Sequence, residues 1–284
     1  MQRPTKSKKI PINKHPRGLI MKFQLAEMTT TESQEAFERT DLVILPVGST
    51  EAHGPHNPVF TDSNAASELA RRVGEKMNGM AIVAPLLPYG FCPYHMKFSG
   101  TITLQQETLF AVLRDVCNSL VHWGARRIMF LTGHGGNFAA ISTIANELYD
   151  KEVLCSFPAW YASSVAGKIE ERWAHVDHGG FKETMVNMVV MPDAVRMDLY
   201  TPTNIGYQMT DKLKVSYDGA EFQGAQIPVH FPTKVAWPHG FIESPVLPAS
   251  EATPEEGEHM LDSIAQLFAG FLEEFRKTSF PSNI

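Results

Sequence analysis

Cysteine is scarce: Cys92, Cys117 and Cys155 are the only three, far apart, odd in number and in no CxxC pair. That excludes a disulfide framework and a thiolate zinc knuckle, and fits a reducing, cytoplasmic setting. No apolar run approaches the roughly 20 residues needed to span a bilayer, and the N-terminus lacks the apolar block of a secretory signal, so neither membrane nor export is expected. Positive charge is not in excess either: 25 Lys and Arg against 31 Asp and Glu give a net charge of −6, with no broad basic surface for nucleic acid. GxGxxG and GK[ST] phosphate loops, internal repeats and low-complexity tracts are absent. What remains, 284 residues of which 43% are hydrophobic, is enough for a sizeable core and points to small-molecule work.

Apolar runs and amphipathic stretches alternate along the chain. The runs 41–48, 80–87, 127–133 and 152–160 are short, rich in Val, Ile, Leu and Phe, and end at Gly or Pro. They suit strands buried on both faces of a mainly parallel sheet. Between them, 62–78, 104–124 and 137–150 space apolar residues three and four apart, as amphipathic helices do. A Thr29/Glu32 capping box predicts a helix over 29–39, and 181–191 and 255–277 complete the helical set. The pattern predicts a layered α/β/α domain with a mainly parallel central sheet over residues 23–284. Residues 1–22 read as a basic, mobile arm. Residues 201–250 hold six prolines and no sustained period, and read as an irregular covering arm.

The polar residues that can carry chemistry gather just after predicted strands. "LPVGSTEAHGPHNPVFTDS" (45–63) brings Glu51, His53 and Asp62, and "TGHGGN" (132–137) brings His134. Ligands of open α/β sheets bind beyond the carboxyl ends of strands, so these side chains can converge on one cleft. Residues two apart in an extended segment point the same way, which pairs Glu51 with His53. Carboxylates and imidazoles without thiolates suit Zn²⁺, Mn²⁺ or Fe²⁺. Each piece also has a plainer reading: Asp62 stands where a helix N-cap would, "GHGGN" could be an anion loop, and His178 could be an ordinary loop histidine.

Together, "LPVGSTEAHGPHNPVFTDS", "GARRIMFLTGHGGN" and "DHGGFKETMVNM" resemble the creatininase (creatinine amidohydrolase) family, in motif order, over about residues 23 to 275. The resemblance implies a layered α/β fold, assembly as a homo-oligomer, often a hexamer, and a binuclear metal centre. By matching positions, Glu51 and His134 would hold one metal, His53 the other, and Asp62 would bridge. His178, with Asp177 beside it, would move the proton to the leaving group. His56 shares a motif position, with a spacing that suits a supporting role better than ligation.

Three departures qualify the resemblance. Creatininase has GHYEN where this chain has GHGGN, so Gly136 stands where a glutamate completes the second metal site; Glu183 is the expected substitute. Of the tryptophan pair that encloses creatinine, Trp160 follows the fourth strand, but Trp173 is one residue out of step, so creatinine itself is not the expected substrate. His95 matches a histidine that precedes an F-P-G-T sequence, here "FSGT"; it could touch substrate, neighbour the metals or be structural. The activity implied is metal-dependent hydrolysis that opens a cyclic amide or cleaves another non-peptide C–N bond. Relatives act in creatinine ring opening, formamide hydrolysis and maturation of a small peptide. The same site could cut carbon from carbon in an oxidised inositol, and a non-catalytic metal or small-ligand binding protein is the third alternative.

Overall fold

The run Leu42–Val47 is buried at all six positions and forms strand β1. Its side chains alternate between two cores: Leu42 and Ile44 face one, while Val43, Leu45 and Val47 face the other. A strand buried on both sides needs helices on both faces. In the computed structural model, which describes residues 21–280 apart from 176, 204–207, 217–218, 230–236, 238 and 245, they are present. Strands β2 (Ile82–Val83), β3 (Arg127–Thr132) and β4 (Leu154–Ser156) complete a parallel sheet of order β2-β1-β3-β4. Helix α1 (Thr30–Arg39) precedes β1 and carries the expected capping box between Thr29 and Glu32.

Helices α2 (Thr61–Lys76), α3 (Gln106–Trp123), α4 (Phe138–Tyr149) and the short α5 (Ala166–Ile169) follow the strands, then α6 (Phe181–Val190) and α7 (Pro254–Phe275). Leu69 and Val73 of α2, Met185 of α6 and Leu261 and Phe268 of α7 pack on the first core; Leu113 of α3 and Ile144 of α4 pack on the second. Each fully buried large apolar side chain contributes about 1.5–3 kcal/mol, so the two cores fix the sheet between its helical layers. The expected α/β/α layering is present. Among the described residues, no helix is long and apolar enough to cross a membrane.

Differences fall where proline intervenes. The run 80–87 yields only two ladder residues before Pro85, then a single bridge from Val47 to Leu87. The run 152–160 yields three, then a bridge from Thr132 to Ala159. The segment 201–250 is more regular than expected. It holds a four-stranded antiparallel sheet, β5 (Gln208–Thr210), β6 (Leu213–Ser216), β7 (Gly219–Phe222) and β8 (Ala225–Pro228), paired in sequence order. Strands of three or four residues are too short to show a period. The basic arm lies, up to residue 20, outside the described residues.

The strand order sets where a ligand can go. From β1 the chain moves outward to β2, then crosses back to β3 on the other side, so the direction of winding reverses between β1 and β3. The loops after these two strands diverge there and leave a crevice, the usual ligand position of an open α/β sheet.

Candidate metal centre

Glu51 and His53 leave β1, Asp62 opens α2, His134 leaves β3, and His178 and Glu183 flank the start of α6. All six are buried. Close backbone approach makes the crevice tight. A Cβ on Gly133 would come within 2.1 Å of the Asp62 carbonyl oxygen, and one on Gly48 within 2.6 Å of Ser63 Cα. Asn137 ties the two strand ends, its amide donating to the Gly48 carbonyl at 3.0 Å and its oxygen accepting from Phe91 N–H at 3.2 Å.

Two groups of ligand atoms share Asp62. Glu51, Asp62 and His134 form one, and His53, Asp62 and Glu183 the other. Asp62 Oδ2 lies 3.3 Å from His134 Nδ1, which is 3.2 Å from Glu51 Oε2; Asp62 Oδ1 lies 3.0 Å from His53 Nε2, which is 3.5 Å from Glu183 Oε2. Asp62 is not the helix cap. The cap position is Phe60, which leaves both Asp62 oxygens for the histidines.

Backbone carbonyls fix how each imidazole presents itself. His53 Nδ1–H donates to Glu51 O at 3.1 Å, His134 Nε2–H to Phe91 O at 3.0 Å, and His178 Nε2–H to Ala52 O at 2.8 Å. A carbonyl can only accept, so the opposite nitrogen of each ring faces the cluster, the arrangement that orients metal-binding histidines. His178 Nδ1 lies 3.9 Å from Glu51 Oε1, and these two residues form a third group with His53.

The charge balance calls for cations. Burial would lower the pKa of His53, but Asp62 and Glu183 outweigh it and raise it to about 10. Burial acts the same way on His134, and Glu51 overcomes it to raise the pKa well above the ordinary value. Burial raises Glu183 to about 8, although His53 pulls the other way. The carboxylates of Glu51 and Asp62 are thus balanced by imidazoles forced to hold protons, while Glu183 keeps its own. Glu51 Oε1 and Asp62 Oδ2 are buried acceptors that receive no hydrogen bond. Orphaned carboxylate oxygens, imidazole nitrogens aimed inward and the lack of thiolates fit hard to borderline divalent cations.

Gly136 explains the missing glutamate. A Cβ there would lie 2.2 Å from Phe91 O, 2.4 Å from His134 Nε2 and 2.7 Å from the Tyr94 hydroxyl. No side chain fits, and Glu183 enters from α6 instead. Its Oε2 also accepts from Gly179 N–H at 2.5 Å, so it serves as helix-end acceptor and cluster member together.

Other expected site residues are placed differently. Asp177 turns from His178 toward α6: its Oδ2 accepts from Lys182 N–H at 3.1 Å and its Oδ1 lies 3.6 Å from Lys182 Nζ. The buried lysine, held by the carbonyls of Tyr161, Trp173 and His175, draws that carboxylate away from the imidazole. Trp160 is fully buried in the first core together with Trp173. His95 does reach the site. Its Nε2 lies 3.5 Å from Glu51 Oε1 and its ring stacks on His178 at 4.7 Å; burial lowers its pKa to about 4. His56 takes a supporting place, donating from Nε2 to the Gly179 carbonyl at 3.0 Å. Sequence reasoning missed Trp237, whose ring lies 5.1 Å from His178 and 5.3 Å from His95, and Tyr94, whose hydroxyl is 3.1 Å from His134 Nε2. Neither stands in a chemical motif.

A parallel α/β sheet whose crevice gathers three carboxylates and the histidines of three loops defines a metal-dependent hydrolase. The chain belongs to the creatininase family: the model described as creatinine amidohydrolase matches residues 26–272. It is 31% identical over 187 residues to a mycofactocin precursor peptide peptidase of Mycobacterium ulcerans (strain Agy99), covering 63% of this chain and 70% of that protein. It is 26% identical over 272 residues to the 3-dehydro-scyllo-inosose hydrolase of Thermotoga maritima, covering 89% and 85%. A solved creatinine amidohydrolase (creatininase) shares the fold with a TM-score of 0.71 at 22% identity, covering 90% of this chain and 99% of the other. Similar solved creatininases include a zinc–zinc form and a manganese form.

Proposed function

We propose that the protein hydrolyses an amide C–N bond, in a cyclic amide, an N-acyl group or a short peptide, at a centre of two divalent cations (zinc, manganese or iron). The observation that carries this reading is the pair of ligand groups joined through Asp62, with the unprotonated nitrogen of His178 turned to the same cluster. Glu51 and His134 would hold one cation, His53 and Glu183 the other, with Asp62 offering an oxygen to each group. Bound there, the cations supply Lewis acidity and acidify water toward neutral pH.

The protein's own groups do the rest. His178, pinned through Nε2, accepts a proton at Nδ1 and returns it to the leaving nitrogen, the transfer that makes an amine able to depart. His95, stacked on His178 and buried, holds that ring in place and narrows the access of water. Asp177 acts at a distance, by fixing Lys182 and the start of α6. Trp160 and Trp173 both pack in the first core, which supports an amide other than creatinine as substrate.

A second reading, opening of a cyclic keto-polyol at a carbon–carbon bond, rests on the extent of the inosose hydrolase match, 89% of this chain. One panel separates the readings: lactams, N-formyl compounds, short peptides and cyclic keto-polyols, each assayed with metal-stripped and metal-restored protein. Metal-dependent turnover of a C–N substrate, abolished in His134→Ala with the fold kept, is expected. Turnover of keto-polyols alone selects the second reading. Full activity in stripped protein refutes both.

A further inference from the structure

Four rings meet beside the ligands. His53 and His178 lie 4.2 Å apart, His178 and His95 4.7 Å, and Trp237 sits 5.1 Å from His178 and 5.3 Å from His95. His53 and His178 come from the first and third motif loops, and His95 ends the short turn Pro93–His95; the tryptophan comes from the covering arm. We propose that Trp237 is the specificity-determining wall of the substrate cleft, favouring substrates with a flat or apolar group beside the bond that is cut. The inference rests on the metal-centre reading above and extends it to the substrate.

The arm holds this tryptophan by backbone, close to the chemistry. Gly240 N–H donates to the Trp237 carbonyl at 2.9 Å, closing a turn, and Gly54 N–H donates to the Gly240 carbonyl at 3.3 Å. Gly240 has φ +75°, and a Cβ there would press on the Phe98 ring at 3.2 Å, so the turn depends on glycine. Two residues on, Ile242 and His178 exchange both hydrogen bonds, at 2.8 and 2.7 Å. Phe241 between them is buried against His56, ring centres 4.9 Å apart. The chain that positions His178 therefore also positions Trp237.

The degree of burial separates a wall from a core residue. Trp160 and Trp173 are fully buried, whereas Trp237 is only partly so while it touches two site imidazoles. A substrate with its scissile bond at the cluster sets its adjoining group against His95, His178 and Trp237. Offset or tilted ring contacts at these separations are worth about a 2- to 12-fold gain in affinity.

The test uses binding rather than turnover. Dissociation constants of acetohydroxamate and benzohydroxamate, which share a metal-chelating head and differ in the adjoining group, are measured by calorimetry on the zinc-loaded full chain. Wild type and Trp237→Phe should prefer benzohydroxamate by about 2- to 12-fold. Trp237→Leu and Trp237→Ala should lose that preference, with zinc content and acetohydroxamate affinity unchanged; the leucine variant keeps apolar bulk should alanine fail to fold. A preference that survives in Trp237→Leu, or an equal loss for both ligands, overturns the proposal. Failure of wild type to bind either hydroxamate overturns the metal-centre reading, and this inference with it.

Discussion

Glu183→Gln distinguishes a metal ligand from a simple helix-end acceptor, because the two roles give opposite signs. Glu183 is the third residue of α6, buried, with Oε2 2.5 Å from Gly179 N and 3.5 Å from His53 Nε2. Burial raises its pKa from 4.5 to about 8. The folded state then keeps a proton that the unfolded chain has released, so stability of the metal-free protein falls as pH rises from 4.5 toward 8. At pH 7 that loss is on the order of 3 kcal/mol, and at pH 5 it is under about 1 kcal/mol. Glutamine cannot ionise, has nearly the same shape and still accepts from Gly179. With a chelator present, the variant should be more stable than wild type at pH 7 by up to about 3 kcal/mol, with most of the advantage gone at pH 5. With metal the order reverses: one ion per chain should weaken by more than the roughly 10- to 100-fold typical of losing an outer partner. Urea unfolding with and without chelator at both pH values, joined to elemental analysis, reads both effects. A variant that keeps two ions per chain and is less stable than wild type in chelator would refute the ligand role.

His178→Ala should retain the metal content and lower kcat by about 10² to 10⁴-fold, with a much smaller change in KM, since the proton transfer is realised in the transition state; loss of metal instead would make His178 a ligand. His56, whose pKa burial lowers to about 4, is neutral in the fold while the unfolded chain takes up a proton below about 6.5. Stability from this group is therefore lost as pH falls from 6.5 toward 4, by about 2 kcal/mol between pH 7 and 5. His56→Gln should flatten that part of the stability profile, measured by urea unfolding across pH. An unchanged slope would show that other groups set it.

The helices were legible from apolar residues three and four apart, and the parallel strands from short apolar runs that end at Gly or Pro. β1 and β3 match their predicted runs to within a residue at each end, while β2 and β4 shrink where proline removes a ladder donor. The gathering of Glu51, His53, Asp62 and His134 was legible because they sit at strand ends and a helix start that a parallel sheet brings to one edge. Glu183 could be named only as a substitute for the missing glutamate; why Gly136 must stay bare depends on Phe91 O and the Tyr94 hydroxyl, which no spacing rule places there. Trp160 looked available because it follows a strand end, yet the same apolarity draws it into the core. Asp177 looked like the partner of His178 by adjacency, and only the fold reveals the buried Lys182 that claims it. Trp237 was hidden because its place over His178 comes from a long-range pairing between Ile242 and the third motif.

In the proposed centre, Asp62 joins two cation sites built from three loops. Anomalous diffraction at the metal edge, from crystals of the zinc- or manganese-loaded protein, tests it directly. Two peaks about 3.5–4 Å apart are expected, one about 2.0–2.2 Å from atoms of Glu51, Asp62 and His134, the other equally close to His53, Asp62 and Glu183. A single peak, or ions that leave Asp62 uncoordinated, would show that Asp62 does not join two cation sites.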